Sequence, residues 1–147
     1  MSTNLVAYVE RQKNGQWESI VPYVNSAPVW FWPPNATYQL FDILKHGGHA
    51  LNKSDIESLS HYVSTEYSHD FDDNSGCYGA RVWNLADMMI QMKDEMWVHD
   101  DESEDENDMI ITPLKELVDK VKFYYEDLAE EWFDCEYSKC RLVYWFC

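Results

Sequence analysis

Apolar positions along this chain follow two rhythms, and each predicts its own kind of element. Val6, Tyr8 and Glu10 alternate with Leu5, Ala7 and Val9, the period of two that sends neighbouring side chains to opposite faces of a strand. Leu5 to Glu10 and Gln16 to Val21 flank Lys13-Asn14-Gly15, and Asn-Gly tolerates the positive φ of a tight hairpin turn. The spacing predicts an antiparallel hairpin with one buried face. Cys140 to Cys147, a short run rich in β-branched and aromatic residues, predicts a strand that completes a small sheet with that hairpin.

The second rhythm is helical. Leu114, Leu117, Val118, Val121, Tyr125, Leu128 and Trp132 recur at steps of three and four and predict one long amphipathic helix from Thr112 to Phe133. Thr112 stands where it can cap free amides, and Pro113 takes the first helical position, where the missing N–H costs nothing. Three shorter helices are predicted before it. Asn35 caps a run through Tyr38, Leu40, Phe41, Ile43 and Leu44 that Gly47-Gly48 stops. Ser54 and Glu57 match a capping box ahead of Ile56, Leu59, Val63 and Tyr67. A third helix begins near Asn84 and turns Leu85, Met88, Met89, Met92 and Met96 inward as adaptable core. The expected class is α+β in one domain spanning residues 1–147: a small antiparallel sheet from the N-terminal hairpin and C-terminal strand, with about four helices.

Charge changes this picture. The 147 residues carry 27 acids against 11 bases, a formal net charge of −16, and 17 of those acids with only 3 bases fall between Asp94 and Glu136. Nothing apolar interrupts the run from His99 to Asp108, so residues 98–109 are expected to form a solvated, mobile loop. On the long helix, Glu116 and Asp119 have lysines within reach, but Glu126, Asp127, Glu130, Glu131 and Asp134 stand unopposed. Like charges four apart cost a helix roughly 0.2–0.5 kcal/mol per pair, so this face is expected to serve a partner. Such a field argues against direct binding to nucleic acid or an anionic membrane and favours a basic protein partner.

Other chemistry is thinner. Ser19 to Phe41 is 23 residues without a charge, yet Pro22, Pro28, Pro33 and Pro34 break any spanning helix there. Trp30 and Trp32, within Val29-Trp30-Phe31-Trp32, belong to an extended segment that either covers the core or offers a sticky patch. His69, Asp70 and Asp72, with Glu66 nearby, have the ligand types of a metal-dependent hydrolase, although the glycine and glutamate positions of a calcium loop are not met. His46-Gly47-Gly48-His49 lacks a second ligand pair, and Cys135, Cys140 and Cys147 lack zinc spacing. With Cys77 they also follow no disulfide pattern. The expectation is no cofactor, no metal and no catalytic site, in a reducing cytoplasm, since no basic and apolar leader opens the chain.

Tyr8-Val9-Glu10-Arg11-Gln12-Lys13-Asn14-Gly15-Gln16-Trp17-Glu18 and Asn35-Ala36-Thr37-Tyr38-Gln39-Leu40-Phe41-Asp42-Ile43-Leu44 resemble the opening hairpin and aromatic helix of small acidic proteins of bacteriophages and prophages. The histidine-rich turn of that group is replaced here by Gly79-Ala80-Arg81-Val82-Trp83. The distribution of acids is similar in composition to phage-encoded DNA-mimic inhibitors of restriction and other defence nucleases. That likeness implies an anti-defence inhibitor in a bacterial host cell, binding a basic, nucleic-acid-handling protein through Asp100, Asp101, Glu102, Glu104, Asp105, Glu106 and the helix acids, with Trp30 and Trp32 as apolar anchors. The alternatives are the small hydrolase and a phage structural or assembly protein.

Overall fold

A computed structural model describes residues 5–20, 37–72, 76–95, 113–127, 129 and 135–147. Its centre is the strand closest to the C-terminus, β5 (Cys140–Phe146), every residue of which is buried. A strand at the middle of a sheet with both faces covered must be apolar along its whole length, and Leu142 to Phe146 meets that demand.

β1 (Leu5–Lys13) and β2 (Gln16–Ile20) form the expected hairpin around Asn14 and Gly15, at φ 53° and 78°. The paired positions of this hairpin include Arg11 and Glu18, whose side chains meet at 3.4 Å. β1 then pairs antiparallel with β5, setting Leu5 opposite Phe146 and Glu10 opposite Arg141. On the other flank of β5 lies β4 (Tyr78–Asn84), followed by the two-residue β3 (His49–Ala50), so the order is β2-β1-β5-β4-β3 with every pairing antiparallel. The class is α+β, as expected, but the sheet has five strands. β4 occupies the segment around Gly79 to Trp83, where no regular element is predicted, because its half-exposed start obscures the alternation that Val82 and Trp83 complete.

Five helices are described: α1 (Thr37–His46), α2 (Lys53–Ser58), α3 (His61–Asp72), α4 (Leu85–Glu95) and α5 (Pro113–Asp127). They cover both faces, so β1 is buried on two sides where the hairpin pattern predicts one. Leu5, Ala7, Val9, Leu142, Tyr144 and Phe146 face α1, α4 and α5 through Leu44, Met88, Leu117 and Val121. Val6, Tyr8, Val143 and Trp145 face the opposite way, toward Leu59 and Val63.

Helix boundaries correct two expectations. The single helix predicted from Ser54 is two: Asn52 caps α2 by accepting from the Asp55 amide while Asp55 reaches back to the Asn52 amide, and the chain breaks at Leu59-Ser60 before α3. Ser60 has a reason to break it, since its amide donates to Glu10 at 2.8 Å while its hydroxyl accepts from Val63. The long helix ends at Asp127, and Ala129 is outside any helix, so no unbroken helical row of acids runs from Glu126 to Asp134. The helix expected to begin near Asn84 is α4, and the Asn84 side chain accepts from the Ala86 amide at 2.9 Å. The predicted Asn35 and Thr112 caps, Met96, Leu128 and Trp132 lie outside the described residues.

Candidate functional site

The expected partner surface is described only at its margin. Asp100, Asp101, Glu102, Glu104, Asp105, Glu106, Glu130, Glu131, Asp134, Trp30 and Trp32 all lie outside the described residues. Glu126 and Asp127 are exposed in the last turn of α5. They differ in kind. Tyr137, in the 3-10 turn (Tyr137–Lys139) that leads into β5, donates its hydroxyl to Glu126 at 2.6 Å. That hydrogen bond, helped by burial, pushes the Tyr137 pKa up to about 12, because a phenolate would face the carboxylate. Lys122 lies over the same ring. Glu126 therefore fastens α5 to the approach of β5, whereas Asp127 is simply exposed.

What the sequence does not reveal is how the bases are used. Lys115 pairs with Asp119, Lys139 with Glu136 and Arg11 with Glu18. Arg141 and Glu10 make a buried pair at 2.8 Å, with Glu10 also accepting from Ser60 and Arg141 donating to the hydroxyl and carbonyl of Ser58. Trp17 lies over the guanidinium at 3.9 Å. Unpaired, either charge would be costly to bury; with every polar atom answered, the pair holds β1, β5 and the α2–α3 junction together.

A cleft of about 760 Å³ runs across one end of the sheet, from Trp17 on β2 past Arg141 on β5 and Trp83 on β4 to His49 on β3, with Asp42 and Asp87 also lining it. Its rim is the Gly47-Gly48 turn. Arg81 donates to the Gly47 carbonyl at 2.7 Å and the Tyr144 hydroxyl donates to Leu44 and Gly47 carbonyls. A Cβ on Gly47 would sit 2.3 Å from the Trp83 ring, and Gly48 has φ +58° with the Val82 carbonyl close by, so the turn needs both glycines. His49 meets Asp55 at 2.9 Å, while His46 and Asp42 stand 3.9 Å apart. Among the described residues no Ser, Thr, Cys or Lys lines the cleft.

The hydrolase triplet is not assembled. Asp70 accepts the Trp145 indole N–H at 2.7 Å and approaches His69 Nδ1 at 3.3 Å, while Asp72 is exposed at the end of α3. The group of potential ligands that does converge among the described residues is Asp70, Cys77 and Cys147. Cys77 and Cys147 are joined by a disulfide, against the expectation of unpaired thiols. The β4–β5 register explains it: Tyr78 faces Phe146, which sets Cys77 opposite Cys147 with Cα atoms 4.1 Å apart. Cys140 faces the other side of the sheet, where burial pushes its thiol pKa up, so Cys135, Cys140 and Cys147 do not gather.

Among the described residues no helix is long and apolar enough to cross a membrane. No family model matches the chain, and no curated protein or solved structure is found similar to it.

Proposed function

We propose that the protein is an acidic binding protein, of the phage anti-defence kind, that occupies the nucleic-acid site of a basic host or defence protein in the bacterial cytoplasm. The observation that supports this most is the segregation of charge. The rest of the chain carries 10 acids against 8 bases, whereas residues 94–136 carry 17 acids against 3 bases. Internal folding needs would scatter lysines among those acids, since opposite charges at helical spacing stabilise and like charges do not. Concentrated negative charge instead steers a cationic partner and competes with phosphate for it.

The hydrolase alternative has less support, because Asp70 is turned toward Trp145 and the disulfide. The test is capture from a bacterial lysate at low salt, comparing the native chain with a variant carrying amides at Asp100, Asp101, Glu102, Glu104, Asp105, Glu106 and Asp127. Glu126 is kept, because Tyr137 depends on it. Loss of a basic partner from the variant, with unchanged circular dichroism and steep release of the native complex by salt, is the expected result. Retained capture would overturn the reading and move attention to Trp30 and Trp32.

A further inference from the structure

The geometry points to a zinc site, formed by Asp70, Cys77 and Cys147 when the Cys77–Cys147 disulfide is reduced. Three elements supply it: the last turns of α3, the residue before β4 and the residue after β5. One ligand atom from each lies within 4.8 Å of the others, and Cys147 Sγ is already 3.9 Å from Asp70 Oδ2. Zinc with Zn–S near 2.3 Å and Zn–O near 2.0–2.2 Å needs ligand atoms about 3.5–3.8 Å apart around a tetrahedron. The carboxylate edge thus needs little change, and only the two sulfurs must separate. Their backbone positions are held by the antiparallel β4–β5 register, which does not depend on the bond between them.

The surroundings suit an ion. Asp70 is mostly buried, and its oxygens are oriented by the Trp145 N–H at 2.7 Å and by His69 Nδ1 at 3.3 Å, the kind of outer contacts that hold a ligand in place. Cys77 and Cys147 are half-buried, so an ion can enter with a water as its fourth ligand. Two thiolates and a carboxylate are also the donor set for which zinc competes well against magnesium or calcium.

The chemistry balances with a dithiol as reductant. The disulfide takes two electrons and two protons and becomes two thiols, while the dithiol closes to its own disulfide. Zinc then binds both sulfurs as thiolates and releases two protons. In an oxidising setting the same residues form the staple, and in a reducing one they form the metal clamp.

The experiment titrates zinc into the full chain, oxidised or reduced with dithiothreitol that is then removed anaerobically. Expected are one tightly held zinc per reduced chain and none per oxidised chain, with cobalt giving a thiolate charge-transfer band only in the reduced form. The Cys77→Ser/Cys147→Ser double variant should lose binding while the Cys135→Ser/Cys140→Ser variant keeps it. Asp70→Asn should weaken it more than about tenfold. A reduced, folded chain that takes up no zinc overturns the proposal. So does zinc retained by the Cys77→Ser/Cys147→Ser variant, or a reduced chain that unfolds and is not refolded by zinc.

Discussion

The two faces of the sheet are made by alternate residues of the same strands, yet they are built differently. Toward α1, α4 and α5 the contact is almost wholly apolar, with Leu5, Val9, Leu142 and Phe146 against Leu114, Leu117, Val118 and Val121. Toward α2 and α3 the sheet presents Tyr8, Glu10, Arg141 and Trp145, and each of the last three directs a polar group to a partner on the α2–α3 segment. The first face is held by shape and area. The second adds specific hydrogen bonds that fix how a short helix and its neighbour sit, which α2, with no buried residue of its own, would not otherwise define. Burial on such a face is tolerable only when the polar groups are answered, so it is less forgiving of a single change.

The sharpest way to break this comparison is to remove one partner of the buried pair. Glu10→Ala should cost about 3–5 kcal/mol, because it strands Arg141 without its carboxylate; the measurement is urea unfolding, and replacing both residues by apolar ones of similar volume should recover much of the loss. On the other face Leu117→Ala removes apolar contacts and leaves a cavity, at a cost of about 2–5 kcal/mol, but no buried charge. If pairing with Arg141→Met rescues Glu10→Ala and no neighbouring polar change rescues Leu117→Ala, the distinction between the faces holds.

A smaller effect probes the edge where the faces meet. Gly47→Ala drives a methyl group into the Trp83 ring and should cost about 1–3 kcal/mol as overpacking does, read as a lower denaturation midpoint; a truncating Trp83→Leu change in the same chain should relieve part of it.

The smallest concerns pH. Tyr137 has its folded pKa raised from 10.0 to about 12, chiefly by its hydrogen bond to Glu126. A raised pKa contributes stability that is present in full below pH 10 and is lost as pH climbs toward 12, because the unfolded tyrosine ionises first. Tyr137→Phe should flatten that part of the alkaline decline, seen as a smaller difference in Tm between pH 9 and pH 11 than in the native chain. An unchanged difference would show that the Glu126 contact does not hold α5 to the 3-10 turn.

Local pattern alone determined a good deal of this. The Asn14-Gly15 turn, the β5 run, the stop at Gly48, the start of α4 near Asn84 and the apolar stripe of α5 from Leu114 to Tyr125 are each written in a few consecutive residues, because each answers to backbone sterics or to a single periodicity. The acid excess is equally plain in composition. The features that escaped depend on residues far apart. Cys77 meets Cys147, and Glu10 meets Arg141, only because strands distant in the chain align in register. The break at Ser60 arises because its amide is wanted by Glu10, 50 residues away. The strand at Tyr78–Asn84 needs β5 beside it to be a strand at all. Local sequence sets what each segment prefers, whereas burial, charge pairing and disulfide formation depend on what arrives opposite, and tertiary structure alone decides that.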